Sequence, residues 1–116
     1  MKLKKSKGFT LVEVLIVVLI IGMLVSLAAP NFVRARETAR AKSCAQNLRV
    51  IEVAKDQYLM DYNLPRSANI TQANIIGPSS YIKVQPECPS NGTYTVGRGD
   101  QEAECSFGGA HNLRGY

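Results

Sequence analysis

The sequence's most pointed chemistry lies in one peptide bond and one carboxylate, both within Lys7-Gly8-Phe9-Thr10-Leu11-Val12-Glu13. From Phe9 an apolar run continues to Ala29, and Glu13 carries its one formal charge. As a helix rising about 1.5 Å per residue, residues 9–29 are long enough to cross the hydrocarbon core of a bilayer. A carboxylate in that setting is costly unless it is paired. Were the chain cut between Gly8 and Phe9, Phe9 would carry a new α-amino group that Glu13 of a neighbouring copy could neutralise. Such a pair sets register in an assembly, since a slipped neighbour leaves two buried charges unpaired.

Behind a short basic leader, this string resembles the processing signal of the type IV pilins and of the pseudopilins of type II secretion. The resemblance covers roughly the first quarter of the chain, and Pro30 extends it. It implies that a prepilin peptidase in the membrane cuts between Gly8 and Phe9 and N-methylates Phe9, and that Glu13 acts in assembly. The function implied is a structural subunit that polymerises into a type II secretion-type pseudopilus. The alternatives are a type IV or competence pilus subunit, or a non-polymerising membrane-anchored domain that binds a ligand through its glycine-rich tail, residues 108–116. The implied partners are the peptidase, copies of the chain, other pilin-like subunits, an inner-membrane assembly platform and the lipid bilayer; no cofactor is implied. Two plainer readings compete for the same stretch: a secretory signal peptide with Ser26-Leu27-Ala28 at its cleavage site, and an uncleaved anchor. Glu13 inside the apolar region and the string Gly-Phe-Thr-Leu-Val-Glu speak against both.

Charge narrows the partners. The chain carries a formal +5, but Lys2, Lys4, Lys5 and Lys7 lie in the leader, which leaves ten basic against nine acidic residues beyond it. Nucleic acid is therefore not an expected partner. The leader lysines are expected to hold the N-terminus in the cytoplasm and send the chain beyond Ala29 outside. With the resemblance, this implies a single-pass protein of the bacterial inner membrane with a periplasmic or extracytoplasmic domain, later in a filament. Arg34, Arg36, Arg40 and Lys42 fit an interfacial anchor better than a DNA stripe, because no aromatic residues alternate with them.

The elements that position these groups are set by periodicity. Four segments are expected: a leader (1–8), a membrane-spanning helix half (9–29), an amphipathic half (30–62) and a small globular part (63–116). Pro30 is expected to bend or locally melt the helix. Residues 31–62 hold no glycine or proline, and Cys44, Leu48, Ile51, Ala54, Tyr58 and Tyr62 recur at steps of three and four as an apolar face. Asn63 and Pro65 end the helix. Thr71 caps a short helix over 71–76, and strands are expected at 81–84, 93–96 and 104–107. The expected class is α+β, a long helix packed on a small antiparallel three-stranded sheet.

Outside the cytoplasm, Cys88 and Cys105 are expected to form a disulfide, worth about 3 kcal/mol in the loop-closure account. Cys44 is left as a buried thiol, with pairing to one of the other two as the rival. Residues 87–94 also resemble a Cys-Pro-x-x-Gly-x-Tyr pattern of some small pilin-like proteins, in which Gly92 serves a turn and Tyr94 packs on the sheet. Asp100, Glu102 and Glu104 alternate, so they share a strand face and form a candidate calcium site. The resemblance supports that idea only in part, since major pseudopilins with such a site carry tryptophan and this chain has none; a charged strand edge is the plainer reading. His111 reads as a surface residue and Arg98-Gly99-Asp100 as a turn. No catalytic constellation is present: one histidine, no phosphate loop, no nucleophile elbow. The chain reads as an enzyme's substrate rather than as an enzyme.

Overall fold

A computed structural model describes residues 2–114; Met1 of the leader and Gly115 and Tyr116 of the glycine-rich tail lie outside the described residues. Helix α1, Leu11–Asp61, is the longest element, followed by α2 (Gln72–Ile75), β1 (Tyr94–Thr95) and β2 (Glu104–Cys105). The chain divides into two compact units, one up to Arg36 and one from Glu37 onward.

In the first unit α1 begins at Leu11 rather than at Phe9, because Thr10 caps it. The large apolar side chains from Phe9 to Leu27 are all at least 50% exposed, and this stretch is long and apolar enough to cross a membrane. A continuous apolar surface of that size is far beyond what a water-soluble monomer shows, so it needs lipid or other helices around it. Pro30 lies inside α1 without interrupting it. The expected melting does not occur: Pro30 removes a single donor from the ladder, and Leu27, Ala28 and Ala29 before it are good helix formers.

In the second unit α1 buries one stripe: Ala41, Cys44, Ala45, Leu48, Ile51, Ala54, Lys55 and Leu59. Tyr62, expected on this face, is exposed, and Leu59 takes its place. Tyr62 stacks instead on Tyr58, with ring centroids 4.8 Å apart. Tyr58 also meets the edge of Tyr81, whose hydroxyl donates to Asp61 at 2.5 Å. Asn63 ends the helix in the left-handed region (φ 54), and the Leu64 N–H returns to the Leu59 carbonyl at 2.9 Å, satisfying an orphan acceptor.

Ile70, Ile75, Ile82, Tyr94, Val96, Ala103 and Cys105 close over the stripe. Among the described residues the sheet has two strands, antiparallel, with Tyr94 opposite Cys105 and Thr95 opposite Glu104. The third expected strand, residues 81–84, does not form. Ile82 makes one isolated parallel bridge to Ile76, its N–H donating to the Ile75 carbonyl and its carbonyl accepting from Gly77 N–H, each at 2.9 Å. Pro78 and Pro86 bracket this segment and remove donors on both sides, so the bridge cannot lengthen into a ladder.

The tripeptide Arg98-Gly99-Asp100 is a turn pressed against the helix. Arg98 Nε pairs with Asp100 Oδ1 at 3.2 Å, and a Cβ on Gly99 would stand 2.6 Å from Leu59 Cδ1 and 2.7 Å from the Arg66 carbonyl oxygen. Gly99→Ala is expected to destabilise this unit by about 1–3 kcal/mol through overpacking. The check is the unfolding temperature of the detergent-solubilised chain, and an unchanged midpoint would contradict this contact.

Candidate functional site

Two groups of residues carry chemistry, one in each unit. At the start of α1 the Glu13 carboxylate reaches back over one turn: it accepts from the Thr10 N–H at 3.2 Å and from the Thr10 hydroxyl at 3.3 Å. In return Thr10 Oγ1 accepts from the Glu13 N–H at 3.2 Å. This is a capping box, Thr-x-x-Glu, which satisfies orphan donors at the helix start. Sequence reasoning gave Glu13 only an intermolecular partner, although Thr10 three residues before it already carried the capping signal. Gly8 and Phe9 precede the box in an exposed segment outside the helix, and a Cβ at Gly8 would meet nothing within 4 Å. The peptide bond expected to be cut is sterically open at Gly8, and its scission would leave the Thr10–Glu13 box intact.

The second group lies in the folded unit. Cys44, Cys88, Cys105 and His111 are all buried, and their ligand atoms lie within 4.8 Å of one another. Cys88 Sγ and His111 Nδ1 are 3.6 Å apart. Four separate segments deliver them. Cys44 comes from the buried stripe of α1 and Cys105 from the end of β2. Cys88 opens a tight turn in which the Asn91 N–H returns to the Cys88 carbonyl at 3.0 Å, with Asn91 at φ 61. His111 comes after Gly108 and Gly109, whose φ values of 72 and 61 reverse the chain so that the His111 N–H meets the Gly108 carbonyl at 3.1 Å. The His111 ring packs against Phe107, centroids 4.3 Å apart. It is 4% exposed, so the expected surface histidine is a core residue, and this part of the tail is not a free arm.

The sulfurs differ in their surroundings. Burial pushes the Cys44 thiol up to about 12, although the Tyr94 hydroxyl beside it acts in the other direction. Burial also raises Cys88, but the backbone N–H groups of Ser90 and Gly92 and the Cys44 and Cys105 side chains outweigh it and bring it down to about 7. Asn47 ties α1 to the same turn, donating to the Glu87 carbonyl at 3.0 Å and to the Tyr94 hydroxyl at 3.1 Å. The bond expected between Cys88 and Cys105 is not formed in this structure, where all three cysteines are free thiols gathered around one point. The local sequence pointed to a pair because Cys44 lies far away along the chain; only the packing of the helix stripe brings it in.

The acidic residues behave differently. Asp100, Glu102 and Glu104 border one open groove of about 500 Å³. Two of the three are engaged by arginines there, Asp100 by Arg98 and Glu102 by Arg114, both at 3.2 Å. Among the described residues they do not converge as a set of cation ligands. Asp100 belongs to the turn after Val96, so the strand face that alternation implied exists only around Glu104.

Residues 3–29 match the family described as the prokaryotic N-terminal methylation motif. The type II secretion system core protein G of Klebsiella pneumoniae is 30% identical over 106 residues, covering 81% of this chain and 76% of that protein. The chain belongs to the pilin and pseudopilin family. Other pilin-like relatives agree: the core protein G of Vibrio cholerae is 31% identical, covering 80% of this chain and 71% of that protein. The ComG operon protein 3 homolog of Bacillus licheniformis is 27% identical, covering 85% of this chain and 98% of that protein. No solved structure matches this pilin-like chain. The methylation motif spans Gly8, Phe9 and Glu13, whereas the sulfur–imidazole cluster lies wholly outside it.

Proposed function

We propose that this chain is a pseudopilin-type structural subunit. Prepilin peptidase cuts it between Gly8 and Phe9 and methylates Phe9, and it then polymerises with copies of itself and other pilin-like subunits into a type II secretion pseudopilus. What carries the reading is the unbroken exposed apolar surface beyond the capping box in a relative of core protein G. Before assembly, lipid covers that surface, with the leader lysines in the cytoplasm and the folded unit beyond the inner membrane. On assembly, helix–helix contacts replace lipid contacts, and Glu13 exchanges its box for the Phe9 amine of a neighbour. Pro30 gives α1 one missing backbone bond near the membrane surface, where a bend adapts the helix to its neighbours. An inner-membrane platform drives the transfer. The chain's own residues perform no catalytic step; it is processed and then bears load.

The experiment is the intact mass and N-terminal fragmentation of the protein recovered from its native membrane. A chain starting at methylated Phe9 is expected, and Gly8→Arg is expected to abolish it, because the side chain obstructs the open segment at the scissile bond. A chain starting at Ala29, or mature-length product from Gly8→Arg, would sink this reading. A second reading, a subunit of a competence-type pilus, draws on the ComG operon protein 3 homolog, whose length is almost fully covered. Deleting the chain separates the two, since one role predicts a secretion defect and the other a DNA-uptake defect.

A further inference from the structure

We propose that Cys44, Cys88, Cys105 and His111 form a structural zinc site, with three thiolates and His111 Nδ1 as its ligands. The donor set is three sulfurs and one imidazole, a composition that structural zinc sites use with four closed tetrahedral positions. Bonds of about 2.3 Å to sulfur place tetrahedral ligand atoms about 3.8 Å apart. The four atoms here already lie within 4.8 Å of one another, and the Cys88–His111 pair stands at 3.6 Å. A contraction of about 1 Å on the widest pair completes the geometry.

The surroundings fit thiolate ligands as well. The backbone N–H groups of Ser90 and Gly92 are directed at the Cys88 sulfur, and the Tyr94 hydroxyl at the Cys44 sulfur. Donors of this kind around a ligating sulfur hold it in place and spread its charge. Gly92 is required by the same packing: a Cβ there would collide with Cys105 Sγ and lie 3.2 Å from Cys88 Sγ. The Phe107 ring against His111 fixes the plane of the imidazole.

The alternative use of these groups is a Cys88–Cys105 disulfide. It would occupy two sulfurs, leaving a buried third thiol and a buried imidazole facing a sulfur with no proton to share. Zinc uses all four groups, releasing the thiol protons to solvent as it binds. It also supplies what this unit otherwise lacks. With strands of two residues each, the unit gains from a cross-link that ties residues 88, 105 and 111 to the helix.

The test uses the full chain in detergent, purified without chelator and without added reductant. Elemental analysis and native mass spectrometry are expected to give one zinc per chain, released by a mercurial reagent. Cobalt substitution is expected to give the strong visible absorption of a tetrahedral thiolate site. Cys44→Ser is expected to weaken zinc retention against a competing chelator by at least about tenfold, whereas a Cys88–Cys105 disulfide would not notice this change. Should that variant fail to fold, His111→Cys decides: it is expected to keep one metal per chain while adding sulfur-to-cobalt charge transfer. Three results would each overturn the proposal: a zinc-free chain two hydrogens lighter than the reduced mass, zinc retention unaffected by Cys44→Ser, or identical cobalt spectra for native and His111→Cys protein.

Discussion

On the proposed processing, Glu13→Ala is expected to enter the membrane and be cut after Gly8, and to vanish from filaments. Removal of the carboxylate has two consequences of different size. The capping box loses its acceptor at Thr10, worth about 1 kcal/mol at a helix start, which a 51-residue helix absorbs. In the filament the Phe9 amine of a neighbour is left as a buried, unpaired charge, which costs about 3–5 kcal/mol, or more than a hundredfold in incorporation. Glu13→Gln separates the two effects, because glutamine can still reach back to the Thr10 N–H but brings no charge. Both variants are expected to fail alike. Filaments sheared from cells, with the membrane pool measured beside them, provide the readout. Normal incorporation of Glu13→Gln would mean that Glu13 serves the helix start alone.

Lys55→Ala is expected to destabilise the folded unit by about 3 kcal/mol. Lys55 is fully buried on the α1 stripe, its Nζ 3.0 Å from Glu52 Oε1 and 2.5 Å from the Gln101 carbonyl oxygen. Glu52 Oε1 also accepts the Ala103 N–H at 2.5 Å. One ion pair thus fastens the segment before β2 onto the helix by two backbone contacts. Removing the cation leaves a carboxylate and a carbonyl without their donor, a loss of about 3–5 kcal/mol for a buried pair. The Glu52 side chain is 26% exposed, so water relieves part of this and the lower end of that range applies. The paired change Lys55→Met with Glu52→Gln removes both charges, keeps an acceptor for Ala103 and retains volume. It is expected to recover more than half of the loss, which a double-mutant cycle in thermal unfolding would measure. A loss below about 1 kcal/mol for Lys55→Ala would show that the pair is not a fastening.

The sequence announced what is local. The apolar run, the helix stop at Asn63, the Thr71 cap and most of the stripe through Cys44, Leu48, Ile51 and Ala54 are legible in spacing and side-chain type. Thr71 carries its own capping box, with its N–H donating to Asn74 Oδ1 at 2.9 Å. What required the fold was non-local. Lys55 sits on the apolar face because Glu52 and the Gln101 carbonyl come to it, and no helical periodicity marks a lysine as a core residue. The 81–84 segment has strand-like residues but only Ile76 to bridge to. His111 looked solitary because its sulfur neighbours are 6, 23 and 67 positions away, at Cys105, Cys88 and Cys44. The Cys88 turn was visible as a turn; its meeting with the helix was not.

The brevity of β1 and β2 bears on how such subunits can touch. Two strands of two residues each present hardly any row of free backbone donors and acceptors. Among the described residues a neighbour therefore finds little strand edge on which to zip itself, and crowding does not invite amyloid-like stacking. Contact between copies of the chain is then expected to rest on side chains rather than on a shared backbone ladder.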